Sequence, residues 1–553
     1  RIMRLLTVGT SALLLELPDL ASTLSAFTAV TSVALPGIVQ VLPAAQTLLL
    51  TYEPAITNET ELKAALSDIP KDATVPPKGK TVVIPVVYDG DDLQEVAAIM
   101  GISSDSLIQR HAGHPWTAAF SGFAPGFCYL ADGDPLFDVP RKSTPRVSVP
   151  SGAVGLAGTF SGIYPRASSG GWQLIGTTAQ HLWDERRDPP ALLRPGDTVR
   201  FVPSRERLVS TEVAALRPTS VSQMPGPDRQ TPSTEDGQLS PTMPHGRKSE
   251  HHLRVIHAGL FSTVQDEGRN AANMGVSASG AMDRFAFHLA NELVGNPETT
   301  PVIEITGGNC SFIAEGDLVV AVTGAPVRVN IHSGDTSDAA IVDVLRQEAV
   351  VVRDGETLTV SSPSSGLRNY LAVQGGIAVS QVMGSASTDT MSQLGPAVLR
   401  DGARLAIGTR SLGIVSPGLP WPKMPLAGRI TELAVSLGPR DDWFTRHGLE
   451  TLFRQVWKVS PQSNRVGLRL QGAETLERNT DDELPSEGTV PGAIQVPSSG
   501  QPVIFMRDHP VTGGYPVIAV LDPEALDTAA QMPAGALIRF VNHSVNNTKE
   551  SAQ

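Results

Sequence analysis

"SSGGWQLIG" at residues 168–176 sets two glycines ahead of a bulky aromatic and an apolar, strand-like run, and "VTGGYPVIA" at 511–519 repeats the arrangement. The flanks repeat as well. Upstream stand "PSGAVGLAG" (150–158) and "PGAIQVPSSG" (491–500); downstream stand "LLRPGDTVRF" (192–201) and "QMPAGALIRF" (531–540). Gly171 lies 30 residues before Phe201, and Gly514 lies 26 before Phe540. Elements recurring in one order at similar spacing point to two copies of one β-rich module, against the plainer alternative of two unrelated hairpins that share turn chemistry. The paired glycines supply unusual dihedrals and a close backbone approach at a bend or pocket wall.

With 553 residues the chain exceeds one hydrophobic core, so two to four domains are expected. Its 51 glycines and 44 prolines, set against 18% charged residues, favour many short strands joined by turns. A net charge of −13 argues against a nucleic-acid partner. Cys128 and Cys310 are the only cysteines, too few for a disulfide framework or a four-thiolate zinc site. Both thiols are expected to be buried and inert, and the location cytoplasmic. "RIMRLLTVGTSALLLEL" (1–17) has basic residues before an apolar stretch, as a signal peptide does. Thr7, Gly9, Thr10, Ser11 and Glu16 interrupt it, so strand–turn–strand is the better reading. No run approaches the roughly 18 apolar residues that span a membrane.

Residues 217–252 are rich in Pro, Ser, Thr, Gln and Gly and poor in large apolar side chains, the composition of a disordered linker. The expected organisation is a small α/β subdomain (1–80), a barrel (81–210), the linker (211–252), a first β-rich domain (253–430) and a second barrel (431–545). "DLASTLSAFTAVTSV" (19–33) reads as helical, and "DDLQEVAAIMGISSDSLIQRH" (91–111) is a helical stretch broken at Gly101.

Several signatures fail. "KGKTV" (78–82) lacks the first glycine of a phosphate loop, Thr74 standing there, and leads into a strand. H-E-x-x-H and G-x-S-x-G are absent. His111 and His114 in "HAGH" are three apart with Pro115 following and no carboxylate near in sequence, which favours a hydrogen-bonded structural role over a ligand pair. "SSGG" resembles the serine pair of amidases without their lysine element. What remains is polar groups on turns. Arg141 and Arg146 each follow a proline, and stiff backbone suits a guanidinium that captures carboxylate or phosphate; a pair of surface arginines looks the same. "TVQDEGRNAANMGVSASGAMD" (263–283) gathers Gln265, Asp266, Arg269 and Asp283 among glycines, as a binding loop or a solvated loop would. In "NRVGLRLQG" (464–472), Arg465 and Arg469 would share one face of a strand.

These stretches also carry a family resemblance. "RHAGHPWTAAFSGFAPGFCYL", "PRKSTPRVSVPSGAVGLAGTFSGIYPRASSGGWQLIGTT" and "LLRPGDTVRF" resemble the B subunit of prokaryotic ATP-dependent 5-oxoprolinase, also called allophanate hydrolase subunit 1 or kinase A inhibitor. "HAGLFSTVQDEGR", "SGAMDRFAFHLANELVGN", "NYLAVQGGI", "NRVGLRLQG", "GAIQVPSSGQPVIFMRDHPVTGGYPVIAVLD" and "AQMPAGALIRF" resemble the C subunit, allophanate hydrolase subunit 2. The resemblance implies a mainly β fold with α/β parts, two tandem cyclophilin-like β-barrels and a small N-terminal α/β subdomain. It implies ATP with Mg2+ as cosubstrate, an A-type subunit as partner, and B-like and C-like halves packed together; a homodimer of the fused chain is left open. His111, Asp266 and Asp283 are the residues it offers for handling a proton or a magnesium ion. Binding positions would be Arg141, Arg146, Tyr164, Gly170, Gly171, Trp172, Gln265, Arg269, Arg465, Arg469, Gly513, Gly514 and Tyr515. Two other readings stay open. Similar modules form the carboxyltransferase part of urea carboxylase and urea amidolyase, but usually with the C-like module first, and this chain has no biotin-attachment lysine between methionines ("WPKMP", 421–425). The inhibitor name suggests a non-enzymatic regulator of a sensor kinase. The chain departs from the family pattern at Trp116, Ser121, Asn464 and Leu468, and no proline precedes Ser279–Gly280.

Overall fold

A computed structural model describes residues 4–67, 79–142, 146–205, 251–333 and 341–543. Most of the expected linker (211–250) lies outside the described residues, whereas His252 already opens the strand His252–His257. The fold is mainly β, with seven α-helices among the described residues and none long and apolar enough to cross a membrane.

The N-terminal stretch is strand–turn–strand: Arg4–Val8 pairs with Ala12–Glu16 around Gly9, whose φ of 62° suits the tight turn. With Ile38–Pro43 and Thr47–Tyr52 these strands make a four-stranded antiparallel sheet. Helix Leu20–Val33 lies across it, its first turn capped by Asp19, which accepts from the Ser22 N–H at 2.7 Å. The helical stretch after residue 91 forms two helices, Leu93–Ile99 and Ser104–Gly113, separated where Gly101 takes a φ of 68°.

The repeat becomes topology. In the first copy the strand order is Gln173–Thr177, Ala153–Ala157, Phe160–Ile163, Cys128–Ala131, Trp116–Ser121, Thr198–Pro203, Thr81–Val86. The last two run parallel, and reciprocal bonds between Val87 and Thr177 (2.9 and 2.8 Å) draw the ends together into a nearly closed barrel. In the second copy the order is Val517–Leu521, Ala493–Gln495, Val503–Phe505, Gly467–Gln471, Trp457–Val459, Leu537–Asn542, Ile430–Leu437, again with one parallel pair, and the barrel is closed. Each barrel carries the same two-stranded appendage, Arg146–Val149 with Ser168–Gly170 in one and Glu487–Gly488 with Thr512–Gly513 in the other. Each also buries a tryptophan whose indole N–H donates to the carbonyl five residues earlier: Trp116 to His111 (2.9 Å) and Trp457 to Leu452 (3.0 Å).

Between the barrels, residues 252–407 form a seven-stranded and a five-stranded sheet with helix Arg284–Leu293 packed on the latter. The N-terminal sheet does not pack on its own barrel alone. Leu14, Leu42 and Leu49 join Val490, Phe505, Val511 and Val520 of the second barrel in one apolar cluster. Polar ties reinforce the joint: Arg440 binds Glu16 (2.7 Å) and Glu487 (2.9 Å), and the Gly126 N–H donates to Met274 O at 3.0 Å. The two halves are thus fastened by both apolar burial and buried charge.

Candidate functional site

Where the first barrel meets the C-terminal half there is a cavity of about 280 Å3, lined by Tyr129, Arg141 and Phe160 on one side and Glu483, Leu484 and Ser486 on the other. Trp172, Phe127, Tyr129 and Tyr164 form the aromatic wall behind it, with ring centroids 5.2–5.5 Å apart in edge-to-face contacts. Burial pushes the Tyr164 phenol up to about 12 and raises that of Tyr129, so both hydroxyls stay protonated hydrogen-bond donors at neutral pH. Gly170 is required here, because a Cβ would stand 2.3 Å from the Tyr164 hydroxyl. Gly171 continues the turn, its carbonyl accepting from the Lys142 N–H at 2.8 Å.

The two prolyl-arginines part company. Arg146 holds Asp92 with two bonds (2.7 and 2.8 Å), and Lys142 adds a third contact at 2.8 Å. Burial works to raise the Asp92 carboxyl, but these cations and the Leu174 N–H outweigh it and leave it below the usual range. Arg146 is therefore a structural tie. Arg141 is exposed, lines the cavity, and has no hydrogen bond or ion pair among the described residues. It is the guanidinium with capacity to spare for an anionic guest.

On the second barrel, Gly513 pairs with Glu487, and its Cβ position lies 2.5 Å from the tip of Gln495. Gly514 is half-buried, with room for a Cβ at van der Waals distance (3.6 Å) from the Leu484 carbonyl, and Tyr515 is 44% exposed with Arg478 at 5.9 Å from its ring. Its counterpart Trp172 is 6% exposed. The repeated motif therefore builds an inner wall in one barrel and an outer rim in the other.

His111 lies inside the first barrel, fully buried and not among the residues that line the cavity. Tyr88 Oη and Ser161 Oγ sit 2.7 and 2.9 Å from its two ring nitrogens, and Phe201 stacks on it at 4.3 Å. Burial drives its pKa down to about 3, which keeps the ring neutral. Both thiols are buried as well, pushed up to about 12 by burial.

The loop 263–283 turns inward rather than forming an open binding loop. Gln265 donates to Thr263 and Thr388 from a fully buried position. Asp266 accepts from Ser385 Oγ, Ser387 Oγ and the N–H groups of Ala386 and Gly268, at 2.6–2.8 Å. Arg269 is buried, bonded to Ser387 O, with Asp389 3.9 Å away. Asp283 caps helix Arg284–Leu293 by accepting from the Ala286 N–H, and its other oxygen accepts from Gln531 at 2.7 Å. Burial, with Asp527 nearby, raises its carboxyl to about 6.

Arg465 and Arg469 do not share a face. The strand begins only at Gly467, leaving Arg465 in the preceding loop, 2% exposed, while Arg469 points to solvent. Arg465 is the hub of a buried ionic network: it binds Asp508 through Nε and Nη2 (3.0 and 2.9 Å) and Glu304 at 2.6 Å. Tyr370 Oη donates to the other Glu304 oxygen at 3.0 Å. Next to this network is a larger cleft of about 520 Å3 between the two domains of the C-terminal half. Sequence reading missed Arg368, Glu304, Asp508 and Tyr370. A lone carboxylate within the apolar run "VIEIT" (302–306) was the available signal for Glu304. Among the described residues no group of three or more His, Cys, Asp or Glu could hold a metal ion.

Comparison with known proteins follows the same division. Residues 3–193 match the model described as carboxyltransferase domain, subdomain C and D, and residues 274–542 match carboxyltransferase domain, subdomain A and B. The C subunit of 5-oxoprolinase from Escherichia coli K12 is 40% identical over 307 residues, covering 54% of this chain and 94% of that protein. The B subunit from E. coli O157:H7 is 47% identical over 133 residues, 24% of this chain and 61% of that protein. Urea amidolyase of Saccharomyces cerevisiae is 30% identical over 322 residues, 54% of this chain but 17% of that protein. The crystal structure of TTHA0988 superposes with a TM-score of 0.78 at 31% identity, over 96% of this chain and 100% of that one. The chain therefore belongs to the carboxyltransferase-domain family that includes the B and C subunits of 5-oxoprolinase, with a B-like unit preceding a C-like unit in one polypeptide.

Proposed function

We propose that this chain is the fused B and C component of an ATP-dependent 5-oxoprolinase, converting 5-oxo-L-proline, ATP and water to L-glutamate, ADP and phosphate together with a separate A subunit. One observation supports it above all: a unit 47% identical to a 5-oxoprolinase B subunit and a unit 40% identical to a C subunit share one polypeptide. An unactivated lactam is a poor electrophile, and ATP supplies the phosphoryl group that makes its oxygen a good leaving group. Arg141 holds the substrate carboxylate in the cavity between the halves, and the Tyr129–Trp172 wall excludes water from its apolar ring. Among the described residues no three His, Cys, Asp or Glu side chains converge on one point, so Mg2+ would be held chiefly by the nucleotide phosphates and no step is assigned through it.

The test mixes the chain with a candidate A subunit, ATP, Mg2+ and 5-oxoproline and measures glutamate and ADP. Equal amounts of both products are expected, with little of either when the A subunit is omitted. The second reading, carboxyl transfer from a carboxybiotin carrier to urea, draws on the 30% identity to urea amidolyase. Carboxylated urea in a parallel reaction, with no glutamate in the first, would replace the proposal with that one. Silence in both with tight binding to a sensor kinase would favour a regulatory role.

A further inference from the structure

The 520 Å3 cleft of the C-like unit is walled by both of its domains: Phe261, Leu367, Arg368 and Thr390 from the first, Ser463 and Ala534 from the second barrel. A mostly apolar hollow at a domain boundary with a few convergent polar groups is the usual form of a small-molecule site. Its floor carries an unusual cation. Arg368 is 4% exposed, yet among the described residues its only side-chain hydrogen bond runs from Nη1 to Ala530 O, and Nε has no hydrogen-bond partner. A guanidinium has five N–H donors, and leaving them unused in a buried site is costly. The nearest carboxylate, Glu304, is 3.7 Å away without a hydrogen bond to Arg368. Its oxygens are already taken by Arg465, Tyr370 Oη and the Met282 N–H. Arg465 in turn is matched by Asp508 through two bonds, so Arg368 is the member of the network left with donors to offer. Thr390 donates its hydroxyl proton to Asp508, which leaves its oxygen as an acceptor at the same wall.

We infer that this cleft is a second small-molecule site, distinct from the cavity between the halves, that takes a compact carboxylic acid with its carboxylate on Arg368 and its apolar body against Phe261 and Leu367. The site does not depend on the lactamase reading, since it is defined by the C-like unit alone.

The test is calorimetric titration of the full-length chain carrying Arg141→Ala, which disables the cavity between the halves, with 5-oxo-L-proline, L-glutamate and the neutral lactam pyrrolidin-2-one. At least one acid is expected to bind with one-to-one stoichiometry, and the neutral lactam at least about tenfold more weakly, as loss of a charge-assisted pair requires. Arg368→Gln should weaken the acid by about tenfold or more. Because that change also leaves Glu304 less compensated, Ala534→Trp serves as the second variant: it fills the cleft from an exposed position and should abolish binding while the circular dichroism spectrum is unchanged. The inference is overturned if neither acid binds, if the neutral lactam binds as tightly as the acids, or if Ala534→Trp binds like its parent. Glutamate production failing while these binding results hold would remove the lactamase reading and leave the cleft site standing.

Discussion

Strand for strand the two barrels match, but their interiors do not. At the position whose carbonyl receives the tryptophan N–H, the first barrel has His111, bridging Tyr88 and Ser161, and the second has Leu452 within an apolar core. The shared architecture therefore does not need the polar chain. It needs the tryptophan, the glycine that lets it lie flat, and the turn glycines that set register. The polar chain is confined to one copy: each buried hydrogen bond offsets the desolvation of its own groups and adds little beyond that.

The comparison can be broken most forcefully at its ionic ties. Arg465→Met should cost about 3–5 kcal/mol in urea denaturation, because Asp508 and Glu304 stay buried with too little counter-charge. Arg146→Met in the first barrel should cost clearly less, since Lys142 still reaches Asp92. Equal losses would mean that the two ties are not built differently. A matched pair of glycines sharpens the likeness. An alanine Cβ would stand 2.4 Å from the Trp116 ring at Gly133 and 2.5 Å from the Trp457 ring at Gly472. Gly133→Ala and Gly472→Ala should each cost about 1–3 kcal/mol, by similar amounts. One neutral result would show that the tryptophans are not equivalent.

Acid response should separate the barrels next. Folded His111 resists protonation down to about pH 3, whereas in the unfolded chain it takes a proton near pH 6.5. The unfolded state thus binds more protons in that window, and stability must fall as pH drops from 6.5, by up to about 1.4 kcal/mol per pH unit for this group. His509, lowered to about 4 by burial, adds a similar term. A Tyr88→Phe, His111→Leu, Ser161→Ala variant, which makes the first core resemble the second, should lose the His111 share of this acid sensitivity when Tm is followed between pH 4 and 7 and keep the share of His509. An unchanged profile would mean that His111 titrates freely. The smallest effect on stability belongs to Arg141→Ala, within about 0.5 kcal/mol for an exposed, unpaired side chain. Its consequence should appear instead as loss of glutamate formation with the A subunit.

What the sequence made legible was local or periodic. The repeat at 168–176 and 511–519, the strand–turn–strand at the N-terminus and the helix break at Gly101 each rest on residues close in the chain. What it hid was long-range pairing. Arg141 and Arg146 look alike after their prolines, and only Asp92, 54 residues before Arg146, sets them apart. Arg465 and Arg469 fit a strand spacing, but the strand starts two residues too late for Arg465. Asp266 and Asp283 carry the composition of a binding loop, yet serine hydroxyls at 385 and 387 and Gln531 engage them from more than 100 residues away. Such partners come together only when the chain between them has folded, and Asp283 with Gln531 only when the two domains of the C-terminal half meet.

The packing of the two kindred barrels into one body, so that B-like and C-like residues line a common hollow, is open to a direct measurement. A protease site inserted within residues 206–250 would let the folded chain be cut between its halves. After cleavage the two fragments should elute together from a sizing column at micromolar concentration, held by the Leu14–Phe505 cluster and the Arg440 ties. Two separate, folded peaks would contradict it.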